Sequence, residues 1–157
     1  MQARDIIRLL SLQPHPEGGW YREIYRSGAQ VEGPRGRRSA VTTIYYLLER
    51  DQVSRWHVVE ADEIWHFYGG APLQLLAYDP RACELTPHLL DAPGKAASPV
   101  AVVSSGVWQA ARSLGEYSLV GCSVGPGFEF ADFRFVSSLP DHEAPFAKVL
   151  RGWEGLL

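Results

Sequence analysis

Ser54-Arg55-Trp56-His57-Val58-Val59-Glu60-Ala61-Asp62-Glu63-Ile64-Trp65-His66-Phe67-Tyr68-Gly69-Gly70 is the stretch that decides how this chain is read. Two β-branched and aromatic runs flank a short acidic turn, which is the pattern of strand, turn, strand. Side chains alternate along a strand, so Arg55 and His57 are expected on one face, and Glu63, Trp65 and Phe67 on one face of the next strand. If both faces turn inward, a base, an acid and a cation converge. His66 falls on the opposite face and is expected to be structural or interfacial.

Outward from this stretch the same texture continues. Runs at 20–26, 40–48, 53–58, 63–68, 73–78, 85–89, 100–103, 107–111, 117–124 and 133–137 read as short strands. Gly33-Pro34-Arg35-Gly36, Gly69-Gly70, Asp79-Pro80, Asp91-Ala92-Pro93-Gly94 and Gly125-Pro126-Gly127 punctuate them as turns. Residues 3–10 space Ile6, Ile7, Leu9 and Leu10 as one face of a short helix, and 141–150 read as a second helix entered at Pro140. The segment 27–39, with Arg35, Arg37 and Arg38, reads as an exposed loop. The fold class expected is therefore all-β, a sandwich or barrel with a short helix at each end, in one domain over residues 1–157.

The bulk properties agree with a globular domain of 157 residues, 46% hydrophobic and 21% charged. A formal net charge of −3 supplies no electrostatic reason to expect nucleic acid or an anionic membrane as partner. Cys83 and Cys122 are the only cysteines, too few for a disulfide framework or a cysteine zinc site. Residues 1–12 interleave Arg4, Asp5 and Arg8 with apolar positions and lack a secretory h-region, and no apolar run approaches the ~20 residues of a membrane span. A reducing, cytoplasmic setting is expected.

Glu63 to Gly70 has the spacing of the first cupin motif, and Ser104-Ser105-Gly106-Val107-Trp108-Gln109 stands where the second motif brings a histidine. By that resemblance His57 takes the second histidine position, Arg55 stands at the first, and Gln109 replaces the third. Three longer segments carry a closer resemblance: Leu12-Gln13-Pro14-His15-Pro16-Glu17-Gly18-Gly19-Trp20-Tyr21-Arg22-Glu23; Ala61-Asp62-Glu63-Ile64-Trp65-His66-Phe67; and Leu119-Val120-Gly121-Cys122-Ser123-Val124-Gly125-Pro126-Gly127-Phe128-Glu129-Phe130-Ala131-Asp132-Phe133. In order and spacing these resemble the type-five cupins over about residues 5–150. The resemblance implies a jelly-roll (double-stranded β-helix) barrel of the deoxysugar-epimerase type and a homodimer, and implies no particular reaction.

Three functions are open at this level. The first is a metal-independent epimerase or isomerase acting on a small polar ligand, for example a nucleotide sugar. His57 would be the base, Glu63 or a nearby carboxylate would orient it, Arg55 and Gln109 would stabilise an enolate or hold an anionic group, and Tyr21, Tyr45 or Tyr117 would reprotonate. Trp65, Phe67, Tyr21, Arg22 and Gln109 are the candidate ligand-binding residues, with Trp65 as a stacking wall. His15 is expected to shape its loop. The second is a non-catalytic module that captures a small metabolite. The third is a metal-dependent isomerase or oxygenase. No cofactor is expected, because a glutamine and an arginine replace ligands; a divalent metal, if held, would take His57, Glu63 and Gln109.

Overall fold

The computed structural model describes residues 2–33 and 35–139; the helix expected over 141–150 lies outside the described residues. Helix α1 (Ala3–Leu9) opens the chain, its first turn held by the Gln2 backbone N–H donating to the Asp5 carboxylate at 3.1 Å. Among the described residues thirteen strands follow: β1 (Gln13–Pro14), β2 (Trp20–Arg26), β3 (Gln30–Gly33), β4 (Gly36–Ser39), β5 (Thr42–Glu49), β6 (Val53–Val59), β7 (Asp62–Gly70), β8 (Leu73–Asp79), β9 (Glu84–Leu90), β10 (Val100–Val103), β11 (Trp108–Ser113), β12 (Tyr117–Gly125) and β13 (Phe133–Phe135). Among the described residues no helix is long and apolar enough to cross a membrane.

Eleven of these strands form two antiparallel sheets, in the orders β1-β2-β5-β12-β7-β10 and β13-β6-β11-β8-β9, and β3 and β4 pair separately. Consecutive strands from β5 to β8 alternate between the sheets, which is the wrapping of a jelly-roll barrel. Alternation divides each sheet into two apolar faces. Tyr46, Leu48, Trp65, Leu73, Leu75, Val120 and Cys122 fill the barrel interior. Trp56, Val58, Leu76, Tyr78 and Trp108 form the opposite face of the smaller sheet, under Val136 and Leu139. On the outer face of the larger sheet, Leu47 meets Ile6 and Leu12 from α1 and the segment after it.

The segment read as an exposed loop is instead a hairpin, β3 paired to β4 from Gln30↔Ser39 to Gly33↔Gly36. Its basic residues are held rather than free: Arg38 grips Asp132 through two bonds of 2.7 and 2.9 Å, and Arg35 reaches Glu60 at 3.1 and 3.2 Å. That clamp holds the Asp132 carboxyl below the usual carboxylate range. The hairpin was missed because its two strands are four residues each and mostly exposed, with burial only toward their ends, so they carry no burial alternation to read.

Candidate functional site

A pocket of about 330 Å³ opens between β2, β5, β12 and β7 of the larger sheet and β6 of the smaller. The loop around His15 and Glu17 and the segment 128–133 complete its wall. At its base, four polar side chains are bonded to one another. The Trp65 indole N–H donates to Gln109 Oε1 at 3.0 Å. Gln109 Nε2 donates to Glu63 Oε2 at 2.5 Å and faces His57 Nε2 at 3.1 Å. All four residues are buried.

This chain of contacts determines the state of His57. An indole N–H can only donate, so it orients the Gln109 amide with its oxygen toward Trp65 and its NH₂ toward Glu63 and His57. His57 Nε2 is therefore an acceptor. Independently, His57 Nδ1 lies 2.7 Å from the Arg55 carbonyl oxygen, which can only accept. The Arg55 contact requires a hydrogen on Nδ1, and the Gln109 amide N–H facing Nε2 selects the tautomer whose lone pair lies on Nε2.

A second carboxylate faces the same nitrogen. Glu17 Oε2 lies 3.4 Å from His57 Nε2 and 3.8 Å from His15 Nδ1, while Glu17 Oε1 accepts from the Ser54 hydroxyl at 3.0 Å. Glu17 is delivered by the tight loop before β2. There Gly18 adopts φ +111° and Gly19 φ +74°, and a Cβ on Gly18 would collide with the Val53 carbonyl oxygen. The loop is pinned by the Arg55 N–H donating to Glu17 O at 3.1 Å and by the Tyr46 hydroxyl donating to Gly18 O at 2.7 Å. Burial pushes the Glu63 carboxyl up, reinforced by the Glu17 charge and opposed by His57 and Gln109. Burial also lowers His15 and raises the Cys122 thiol well above its ordinary value, so both favour their neutral forms.

Of the residues singled out from sequence, His57, Glu63, Gln109 and Tyr21 come together here: three of them line the pocket, and Gln109 backs it. Arg55 does not. Gln109 pairs with His57 but Ala111 pairs with Ser54, so Arg55 and Trp56 together face the single residue Ala110: a β-bulge. The extra residue turns Ser54 inward and Arg55 away. Its guanidinium bonds Pro16 O at 2.6 Å and lies over the Phe135 ring at 4.7 Å. Arg22 also faces the other side of its sheet, over the Tyr45 ring at 5.8 Å. Trp65 and Phe67 pack in the interior rather than on the pocket wall, and Trp65 acts through Gln109. Tyr45 contacts Tyr68, and Tyr117 packs with the α1 cluster, so Tyr21 is the one of the three candidate tyrosines that reaches the pocket.

Glu17 and His15 were missed as site residues. Neither lies on a strand, so no alternation signals their direction. The signal present was an acid beside two glycines in Pro14-His15-Pro16-Glu17-Gly18-Gly19, a loop too constrained to be a simple linker. The ring wall was also misplaced: it is built by Phe128, Phe130 and Phe133 with Tyr21 and His15.

The divalent metal of the metal-binding cupins does not fit these residues. Gln109 turns an N–H, not its oxygen, to the place a ligand would occupy, and reversing it would set two donors against the Trp65 indole. Among the described residues no three His, Cys, Asp or Glu side chains are grouped to hold a metal ion.

Against known proteins, the family model Cupin_5, described as Cupin superfamily (DUF985), matches residues 4–136. A hypothetical protein from Leishmania major is 31% identical, with TM-score 0.87 and 98% of each chain covered. A protein from Shewanella oneidensis is 34% identical, with TM-score 0.85, covering 99% of this chain and 97% of that one. Oxalate decarboxylase from Bacillus subtilis, at 10% identity and TM-score 0.59, covers 90% of this chain and 34% of the other, and shares the fold alone. No protein of curated function matches.

Proposed function

The chain belongs to the Cupin_5 (DUF985) family of the cupin superfamily, and from that premise we propose that it binds a small polar ligand around His57. There it moves a proton on that ligand without a metal, as an epimerase or isomerase does. The observation that carries this reading is the orientation of His57, a neutral imidazole with its Nε2 lone pair set between Gln109 and Glu17 at the base of the pocket. In the proposed step, Nε2 takes the proton from a carbon next to a carbonyl, and the electrons of the broken C–H bond pass to the carbonyl oxygen. The imidazolium so formed is stabilised by Glu17. Glu63, whose burial favours its protonated form, donates its proton to the developing enolate oxygen. Tyr21, edge-on to His15 at 4.4 Å, returns a proton to the carbon from the opposite face while the enol oxygen gives its proton back to Glu63, restoring the carbonyl. We propose further that the protein works as a two-fold homodimer in the cytoplasm, a setting that suits two unpaired cysteines.

The test is solvent exchange. In D₂O with a panel of small keto- and aldo-sugars, NMR should report deuterium entering the carbon beside the carbonyl. His57→Gln should slow this by about 10²–10⁴-fold, the usual worth of a positioned base. Trp65→Phe, which frees the Gln109 amide to turn, should slow it by roughly fivefold, the loss expected for about 1 kcal/mol of orientation. Absence of exchange across the panel by folded protein refutes the reading. A second reading, capture without chemistry, draws on the completeness of the Trp65–Gln109–Glu63 network, which is satisfied without a substrate. An unaltered ligand released on gentle denaturation, with no turnover of its analogues, would favour that alternative.

A further inference from the structure

Three carboxylates line the pocket, Glu17, Glu23 and Glu129, beside Glu63, whose burial favours its protonated form, against one guanidinium, Arg26. Arg26 is largely committed, with a single N–H left for an anion. Its Nε and Nη2 donate to Glu23 at 3.0 and 2.9 Å, Nη1 donates to Glu129 at 2.8 Å, and Nη2 also donates to the Phe128 carbonyl at 3.1 Å. Four of the five donors of a guanidinium are thereby used. The other arginines that could be thought of as anion anchors are committed elsewhere: Arg38 to Asp132, Arg35 to Glu60, and Arg55 to Pro16 and the Phe135 ring. Among the described residues, a diphosphate would enter a site with surplus negative charge and one spare guanidinium N–H to meet it.

The remaining wall is aromatic. Phe128 and Phe130 meet edge to face at 5.1 Å, Phe130 and Phe133 at 6.3 Å, and Phe133 stacks on the His57 ring at 4.9 Å. Tyr21 stands across from them beside His15, whose burial disfavours its charged form. Aromatic faces attract a cation, and carboxylates set among them complete its neutralisation.

We propose that the ligand of this pocket carries a protonated amine or quaternary ammonium group, seated between the Phe128–Phe130–Phe133 wall and the carboxylates of Glu17 and Glu129, and that nucleotide sugars are excluded by charge. The proposal rests on the reading of this pocket as the binding site, and it holds for a catalyst or a capture module alike. The probes are glucosamine, glucose and glucose 6-phosphate, which keep one sugar frame and vary its charge, with choline as a second cation. Binding is measured by calorimetry near neutral pH and low salt. Glucosamine is expected to bind about tenfold tighter than glucose, the scale of one desolvated cation–π contact, and glucose 6-phosphate more weakly still. Glu129→Gln, at an exposed position clear of the buried base, should narrow the gap between the cationic and phosphorylated probes several-fold. Tighter binding of glucose 6-phosphate or UDP-glucose than of the amines overturns the proposal, as does absence of binding by both cations at millimolar concentration. Failure of proton exchange with amine preference intact would instead refute only the catalytic reading.

Discussion

Glu63 places an acid inside a barrel at a thermodynamic cost. Burial raises its carboxyl above the ordinary value, so the folded state holds the proton to higher pH than the unfolded chain, whose carboxyl titrates at about 4.3. Between those two values the unfolded state binds fewer protons than the folded one, and stability falls as pH rises. Above both values the full penalty stands; below both it vanishes. Glu63→Gln is therefore expected to raise the melting temperature by a few degrees at neutral pH, with the difference closing as pH falls toward about 4.3. Thermal denaturation across pH reads this directly, and a variant less stable than the parent at neutral pH would mean that the Gln109 bond outweighs the desolvation. His57 meets the opposite requirement, since its ring is fixed by a carbonyl on one nitrogen and an amide N–H on the other.

Two short irregular elements build the site around the regular strands. The bulge in β6 exposes the Arg55 carbonyl to His57 Nδ1 and the Arg55 N–H to the Glu17 carbonyl, so one extra residue both sets a tautomer and anchors a loop. The loop itself depends on Gly18, where φ +111° and the close approach of Val53 leave no room for a side chain. Gly18→Ala should lower stability by roughly 1–3 kcal/mol, the cost of a strained non-glycine backbone. It should also weaken binding of any pocket ligand, because Glu17 moves with the loop. Melting temperature together with ligand affinity checks both; a variant with parental values for each would show that the loop tolerates displacement.

At the scale of the whole molecule, the larger sheet ends in a strand that is only partly covered. β1 pairs with β2 at Tyr21 and Trp20 alone, which leaves residues 22–26 of β2 without a partner on that edge among the described residues. Ile24 and Tyr25 are 38% and 55% exposed on this strand. Open edges invite pairing, and a two-fold arrangement would bring two copies of β2 together. Light scattering at micromolar concentration should give twice the chain mass of 17.5 kDa. Ile24→Lys, which puts a charge on the edge, should shift the protein toward the monomer, and a monomeric parent would refute the proposed assembly.

The strands of the barrel were legible because burial on one face imposes a period of two, and turn residues mark where it stops. Residues 20–26 and 100–103 were bounded in the sequence as they stand in β2 and β10. The pairing of His57 with Glu63 was legible for the same reason, each sitting on a strand whose alternation predicts its side. By itself the sequence thus determined the class of fold, the family, and the facing of His57 and Glu63 toward one pocket. Only the tertiary structure decided that Arg55 leaves the pocket, because a bulge reverses alternation and is specified by the neighbouring strand rather than by local residue type. It likewise decided that Glu17 and His15 enter and that Trp65 acts through Gln109. Those placements depend on loop closure and on hydrogen-bond partners 37 to 44 residues apart in the chain, a separation at which residue order carries no directional signal.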